Sequence, residues 1–315
     1  MAAIELNNLS QTAKLNPKTK PELGLVCITV DKQVRFRTMT RTYYLKLNLT
    51  QREAALQEIY QHNLQRLHDA LSFCEANKIR LYRMSSALFP LSDIEDEIGA
   101  NILETMSADL SKIGAKAQQL NIRMVLHPDQ YVVLSSDSPK VVETSIKILA
   151  RHARNLDLLG LPCSPWSLMN IHGGKSQRSQ QLVKVISELP TNIKNRLTLE
   201  NDEYAYSAAE ILAVCQQAQI PMVFDAHHHI CHEKLDSYNH PSTEAMFYAA
   251  RETWTHPDWQ LVHISNGEQT FNDRKHSDLI TAMPNIYHQA PWIEIEAKQK
   301  EVAISHLRSW WVMGQ

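Results

Sequence analysis

The sequence predicts an α/β protein built as a single (β/α)₈ TIM barrel, and three observations favour that fold class. Short apolar runs of strand length alternate with amphipathic stretches of helical length, the pattern of βαβ units around a parallel sheet. No linker rich in glycine or serine divides the 315 residues. Reactive side chains recur at the ends of the apolar runs, where barrel enzymes place their active sites.

Eight apolar runs are predicted as the strands of the barrel. They span residues 23–30, 79–84, 122–126, 167–171, 196–199, 220–224, 260–264 and 292–295. Helical spacing of apolar residues marks 52–77, 140–159, 207–218 and 242–253. The sequence therefore divides into a polar N-terminal extension, residues 1–22, and a barrel catalytic domain, residues 23–315. An open doubly wound sheet is the alternative, but no Gly-x-Gly-x-x-Gly turn follows the first strand.

Composition limits the function classes and the compartment. A net charge of −2 provides no general attraction for nucleic acid, so a DNA ligand would need a local basic rim or bound metal ions. The chain has neither a signal-peptide core nor an apolar stretch long enough to span a membrane. We therefore expect a cytoplasmic protein with no membrane partner, and no obligate protein partner is evident.

Imidazoles and carboxylates stand at the ends of six predicted strands. They are His127, His172, Glu200, Asp225 with His228 three residues later, His263, and Glu294 with Glu296. In a barrel these side chains converge on one mouth. Mixed nitrogen and oxygen ligands suit zinc, manganese or iron, and more than four ligands indicate two or three ions. The alternative is a solvated polar rim.

Other histidines are ambiguous from position alone. His227, His228 and His229 are consecutive, and a surface histidine-rich loop would have the same pattern, so only one or two should be ligands. His276 lies in a polar loop beyond the seventh strand, where it could reach back over the barrel mouth or belong to a solvated charged loop.

Two segments at the predicted mouth carry side chains suited to DNA. Gln130 and Tyr131, in the loop after the third strand, could insert into a disturbed duplex, although an ordinary structural tyrosine would look the same. Arginines with interleaved aromatics follow the first strand and suit phosphate contact and base stacking. They are Arg35, Arg37, Arg41, Tyr43, Tyr44 and Lys46.

Ordered motifs from about residue 23 to 300 together resemble the ultraviolet damage endonucleases of bacteria and fungi. In the first half they are Leu23-Gly24-Leu25, Arg37-Thr38-Met39-Thr40, Tyr82-Arg83-Met84-Ser85-Ser86 and His127-Pro128-Asp129-Gln130-Tyr131. In the second half they are Ile171-His172-Gly173-Gly174, Leu199-Glu200-Asn201-Asp202, Asp225-Ala226-His227-His228, His263-Ile264-Ser265, Lys275-His276-Ser277-Asp278 and Glu296-Ala297-Lys298.

The resemblance implies a barrel like those of endonuclease IV and xylose isomerase, with two or three divalent ions. Manganese is the expected metal, and zinc, cobalt or magnesium are alternatives. The residues on the family's ligand motifs are His127, His172, Glu200, Asp225, His228, His263, His276 and Glu296. The implied catalytic residues are Glu200, His127 and Glu296, and Gln130 and Tyr131 fall on the family's lesion-probing pair.

By the same resemblance, the substrate is double-stranded DNA with cyclobutane pyrimidine dimers or 6-4 photoproducts. It would be nicked immediately 5′ to the lesion to leave a 3′-hydroxyl. Within the basic and aromatic stretch described above, Arg37, Arg41 and Tyr43 are expected to contact the DNA.

The chain departs from the family pattern at two positions that bear on the third metal. Asp93 stands where many members have a histidine, so it is an uncertain oxygen ligand, and Leu261 stands where some have a modified lysine. Two rival functions remain from the residues. A metal-dependent sugar isomerase or epimerase would share the barrel, and a lesion-binding protein would have lost turnover.

Overall fold

Eight parallel strands form a closed barrel in the computed structural model, which describes residues 20–128 and 131–312. The strands follow one another around the barrel in chain order, and β1 closes it by pairing with β8. Their bounds are β1 Glu22–Val26, β2 Leu81–Met84, β3 Arg123–Leu126, β4 Met169–His172, β5 Leu197–Glu200, β6 Met222–Asp225, β7 Leu261–Ile264 and β8 Trp292–Ile295. The predicted TIM barrel is confirmed.

Helices connect the strands and form the outer layer. They are α1 Arg41–Tyr44, α2 Leu49–Ala76, α3 Ile98–Thr105, α4 Ser107–Gln119, α5 Pro139–Leu158, α6 Ser179–Ser187, α7 Thr191–Lys194, α8 Ala208–Ala218, α9 Ala226–Glu233, α10 Pro241–Arg251 and α11 Lys300–Leu307. The longest, α2, begins at a capping box in which Asn48 and Gln51 satisfy each other's backbone N–H groups. None of the described helices is long and apolar enough to cross a membrane.

Successive side chains along a strand point to opposite faces, and they belong to two separate apolar regions. Tyr82 and Met84 of β2 belong to the large core between strands and helices. The intervening Leu81 belongs to a smaller cluster with Val125, Val223 and Leu261, from three other strands. Side chains two residues apart share a face of a strand, so this cluster fills the barrel interior below the polar residues at the strand ends.

Seven of the eight predicted strands differ from the observed ones at one end or both, and two of these differences have local reasons. The first strand ends at Val26 instead of residue 30, because Cys27 has a φ of 65° and turns the chain out of the extended conformation. The fourth strand begins at Met169 instead of residue 167, because Pro165–Ser167 forms a 3₁₀ turn. Neither difference moves a predicted ligand away from the end of its strand.

Candidate metal centre

Seven of the eight predicted ligands lie in three overlapping groups at the C-terminal mouth of the barrel. The first group contains His127, His172 and Glu200, and the second contains Glu200, Asp225 and His228. The third contains Asp225, His263 and Glu296. Within each group the ligand atoms lie within 4.8 Å of one another. Because Glu200 and Asp225 are each shared by two groups, the geometry suits neighbouring ions linked by carboxylates.

Glu200, at the end of β5, is the centre of this arrangement. Its Oε2 lies 3.5 Å from His127 Nε2 and 4.0 Å from His172 Nε2. Its Oε1 lies 3.3 Å from His228 Nδ1 and 3.1 Å from His263 Nδ1. One carboxylate thus faces imidazoles from three other strand ends and from α9.

The sixth strand runs directly into α9, and this junction places Asp225 beside His228. Asp225 is the N-cap of the helix, and its Oδ1 accepts a hydrogen bond of 2.8 Å from the His228 backbone N–H. The pair therefore shares the first helical turn. His227 and His229 point elsewhere, since their Nε2 atoms contact the Asp273 carbonyl at 2.8 Å and Ser242 Oγ at 2.9 Å. Of the three consecutive histidines, His228 alone joins a group within the described part of the chain.

Backbone carbonyls fix the orientation of two histidines. His127 Nδ1 lies 2.9 Å from the carbonyl of Pro128, and His228 Nδ1 lies 2.9 Å from the carbonyl of Asn201. A carbonyl can only accept, so each Nδ1 donates its hydrogen to it. For His127 this leaves the lone pair on Nε2, the nitrogen that faces Glu200.

The donor set fits divalent ions because it is buried, negative and incompletely hydrogen bonded. Glu200, Asp225 and Glu294 are buried, and the Glu296 side chain is only 11% exposed. Among the described residues Arg83 is the one arginine that forms an ion pair with any of these four carboxylates, and it contacts only Glu294 and Glu296, so Glu200 and Asp225 have no guanidinium partner. Glu200 Oε1, Asp225 Oδ2 and His263 Nδ1 are buried and make no hydrogen bond of acceptable geometry. Buried polar groups are normally satisfied, and bound cations would satisfy these.

The surroundings shift the pKa values of the predicted ligands in different directions. Burial lowers the pKa of His228 and of His263, but nearby carboxylates outweigh it and hold both well above the usual value, so a cation would have to displace their protons. Burial raises the pKa of Glu200, but the His263 and His172 imidazoles outweigh it and hold the pKa well below its usual value. Burial lowers the pKa of His172, and the neighbouring His127 and His228 add to that effect. An ionised carboxylate and a neutral imidazole are the forms that bind a cation.

The other predicted ligand positions lie outside the three groups. His276 is in the loop before β8, with Nδ1 3.9 Å from Glu296 Oε2, at the edge of the third group. Asp93 is exposed and belongs to none of the groups found in the described residues. Leu261 is buried in the apolar cluster of the barrel interior.

Four of the residues predicted to touch DNA, Arg37, Arg41, Tyr43 and Tyr131, lie in connections that follow the C-terminal ends of β1 and β3. Tyr131 is 71% exposed, and Gln130 lies outside the described residues. Arg37, Arg41 and Tyr43 are exposed in the segment after β1. Buried Asn63 of α2 holds this segment, because it accepts from the Arg37 N–H at 2.8 Å and donates to the Arg37 carbonyl at 2.9 Å.

Several residues of the mouth were not predicted. Asn170 Nδ2 donates a 2.6 Å hydrogen bond to Glu200 Oε2, and Asn170 Oδ1 accepts from Thr198. Arg83 pairs with Glu294 and Glu296. Asn170 and Thr198 lie two residues before His172 and Glu200, so the two-residue period of a strand could have indicated both.

Comparison with known proteins identifies the family of the chain. The model of the UV-endonuclease UvdE family matches residues 21–310. A "UV DNA damage endonuclease" of Nostoc sp. is 78% identical over 315 residues, covering 100% of this chain and 98% of the relative. A protein of the same name from Deinococcus radiodurans is 46% identical over 289 residues, which cover 91% of this chain and 95% of the relative.

Solved structures share the barrel. The crystal structure of SacUVDE has a TM-score of 0.77 and 25% identity, with 92% of this chain and 98% of that chain covered. Endonuclease IV from Thermus thermophilus has a TM-score of 0.56 at 12% identity, with 92% and 98% covered, and shows the fold alone. A xylose isomerase domain protein from Planctomyces limnophilus, with a TM-score of 0.54 at 14% identity and 93% and 98% covered, likewise shows only the fold.

Fold and site together define a TIM barrel of the endonuclease IV and xylose isomerase type whose mouth can hold metal ions. The family match over nearly the whole barrel is more specific. The chain belongs to the UV-endonuclease UvdE family, and it is an endonuclease by that membership.

Proposed function

We propose that this chain is a metal-dependent repair endonuclease that nicks DNA immediately 5′ to ultraviolet photoproducts and leaves a 3′-hydroxyl. The observation that carries the proposal is the row of three overlapping ligand groups joined by Glu200 and Asp225. Adjacent ions in such a row would suit a phosphodiester, because both the attacking and the leaving oxygen need stabilisation. The chain's similarity to enzymes named for ultraviolet damage to DNA supports the choice of substrate.

The residues that would hold the ions are the eight predicted from the sequence, with His276 at the edge of the third group. When bound, divalent cations neutralise phosphate oxygens and make water a better nucleophile near neutral pH. Glu200 holds the first two groups together, and His127 presents Nε2 towards it. Glu296 closes the third group. We assign the catalytic roles to these three residues, because Glu200 is shared by two ligand groups and His127 and Glu296 belong to the first and the third group.

Manganese is the metal we propose, in two or three sites. Imidazole nitrogen mixed with carboxylate oxygen suits manganese, and it also accommodates zinc or cobalt. The absence of cysteine from all three groups disfavours a thiolate site that would select zinc. Magnesium is the weakest of the alternatives, since it prefers oxygen ligands and retained waters.

Lesion recognition is assigned to the exposed loops around the mouth. Gln130 and Tyr131 would probe the base stack, because an exposed tyrosine can fill the space of a poorly stacked dimer. Arg37, Arg41 and Tyr43 would contact the backbone beside it. The proposed partner is therefore double-stranded DNA bearing ultraviolet damage. We also propose that the protein acts in the cytoplasm and that residues 23–315 form its catalytic domain.

An end-labelled duplex with one pyrimidine dimer tests the proposal. We expect purified protein with Mn²⁺ to cut it immediately 5′ to the dimer and to leave an end that a DNA polymerase extends, with the undamaged twin intact. A cut on the 3′ side, or an end that is not extended, would contradict the proposed chemistry. Binding without any cut would identify a lesion-binding protein.

A further inference from the structure

Arg83 and Glu294 form a buried ion pair next to the third ligand group. Arg83 Nη1 lies 2.8 Å from Glu294 Oε2 and 2.5 Å from Glu296 Oε1. The two side chains of the pair are 11% and 1% exposed. A single guanidinium nitrogen therefore fixes one carboxylate of the ligand group and one carboxylate outside it.

His263 lies between Glu294 and the ligand group. Its Nε2 is 2.9 Å from Glu294 Oε2. Its Nδ1, on the other side of the ring, is 3.1 Å from Glu200 Oε1 and 3.3 Å from Glu296 Oε1. The ring is fully buried, so it has no water with which to exchange either contact.

These contacts, together with a bound cation, would select one tautomer of His263. A neutral imidazole has one N–H and one lone pair. Carboxylates lie next to both nitrogens, but Glu200 and Glu296 belong to the ligand groups and Glu294 does not. A cation held by the third group would take the lone pair of Nδ1, which leaves the hydrogen on Nε2, beside Glu294. His127 follows the same logic with the nitrogens reversed, because its Nδ1 faces the Pro128 carbonyl. Outer partners of this kind orient metal-bound histidines in general.

The barrel leaves room for this pair at Gly24. Gly24 of β1 lies between the two strands that carry the pair, in register with Leu81 of β2 and with Glu294 of β8. A Cβ at Gly24 would lie 2.6 Å from Leu81 Cδ2. β1 therefore places no side chain beside Glu294, and Arg83 of β2, whose register partner on β1 is Val26, reaches across to β8.

We propose that Glu294 is the positioning residue of His263, setting the tautomer and ring orientation that present Nδ1 to a metal ion in the third group. Arg83 holds the Glu294 and Glu296 carboxylates in place on either side of the His263 ring. The inference rests on the metal centre proposed above, and it assigns no contact with DNA to either residue.

Manganese binding without DNA tests the inference, with free Mn²⁺ measured by electron paramagnetic resonance. Glu294→Gln keeps the size of the side chain but removes its charge. We expect one Mn²⁺ site to weaken about 10- to 100-fold, the usual cost of losing such a partner, and the other sites to keep wild-type affinity.

Asp157→Asn is the matched control. It breaks another ion pair to a buried arginine, Arg196 Nη2 to Asp157 Oδ1 at 2.7 Å, between residues outside all three groups. It should lower the melting temperature and leave every Mn²⁺ affinity unchanged. Equal Mn²⁺ binding by Glu294→Gln and the wild type would overturn the inference.

A measurement on the wild type covers the case in which Glu294→Gln does not fold. With ¹⁵N-labelled histidine and Zn²⁺ in place of Mn²⁺, His263 should show a hydrogen on Nε2 and a coordinated Nδ1. A hydrogen on Nδ1 would overturn the inference. If the wild type binds no Mn²⁺, the proposed metal centre fails with it; if it binds Mn²⁺ but does not cut DNA, only the proposed function fails.

Discussion

Asn170 donates a 2.6 Å hydrogen bond to Glu200 from the neighbouring strand of the barrel. The asparagine is held in turn by Thr198 Oγ1, which donates to Asn170 Oδ1 at 2.8 Å. All three side chains are buried. The carboxylate shared by two ligand groups is therefore positioned by a residue that contacts no other member of those groups in the described hydrogen-bond network.

Asn170→Ala should lower incision activity or Mn²⁺ affinity about 10- to 100-fold, because Glu200 loses the donor that orients its Oε2. Asn155→Ala is the matched control, since Asn155 is a buried asparagine of α5 outside the ligand groups. Activity and Mn²⁺ affinity are compared across the three proteins. Equal losses in both variants would show that general destabilisation, not positioning, is responsible.

Tyr131→Ala should reduce the preference for damaged over undamaged duplex, because the side chain proposed to enter the lesion is lost; Gln130→Ala should do the same. Tyr204→Ala is the comparison. Tyr204 is 68% exposed but lies under the Arg274 guanidinium, 3.8 Å from its ring centroid, so it is not free to insert. The ratio of affinities for the two duplexes is measured, and a ratio as high as wild type in both Tyr131→Ala and Gln130→Ala would contradict the assignment.

Arg41→Gln should weaken binding to damaged and undamaged DNA alike, and should reduce the slope of log affinity against log salt by about 1. Arg41 is exposed at the start of α1 and has no ion pair with a described carboxylate. Arg37→Gln should have the smaller effect, since Glu58 already lies 2.6 Å from Arg37 Nη1. Arg154→Gln, which removes a pair with Glu104 on the outer helices, should leave the slope unchanged.

The sequence was enough to predict the barrel and most residues of the ligand groups, because both follow from the repeated alternation of apolar strands with helices. His172, Glu200 and Asp225 each end an apolar run, and parallel strands of a barrel bring such ends together. The order of the contacts was not predictable in this way. Nothing in the sequence states that Glu200 faces His263 two strands away, since that distance depends on strand tilt and side-chain rotamers.

The ion pairs inside the barrel could not be predicted from the sequence either. Arg83 lies in the motif Tyr82-Arg83-Met84-Ser85-Ser86, but its contacts with Glu294 and Glu296 join residues more than 200 positions apart in the chain. Asp93 was an uncertain ligand from its position, and its exposed side chain outside the groups gives that role no support. Metal identity and occupancy depend on ligand geometry with ions bound, which strand periodicity does not determine.

The free energy of unfolding should decrease at acidic pH partly because of His288. Its ring is stacked on that of Trp311, with the ring centroids 4.2 Å apart. Burial lowers the pKa of His288 from 6.5. Below that ordinary value the unfolded chain binds a proton that the folded chain resists, so the free energy of unfolding decreases as pH falls. His288→Gln should show a smaller decrease in denaturant titrations between pH 7.5 and 5 in metal-free buffer. An identical pH dependence in the two proteins would exclude this contribution.

The most direct test of the central claim is incision of a duplex with a single pyrimidine dimer, with Mn²⁺ titrated into metal-free wild type and Glu200→Gln. Glu200 joins two ligand groups, so its neutral variant should lose at least about 100-fold in rate, more than loss of an outer partner costs. The account predicts no cut without metal, a cut 5′ to the dimer in wild type as Mn²⁺ is added, and almost none in Glu200→Gln. Cutting by metal-free protein, or equal rates in the two proteins, would contradict it.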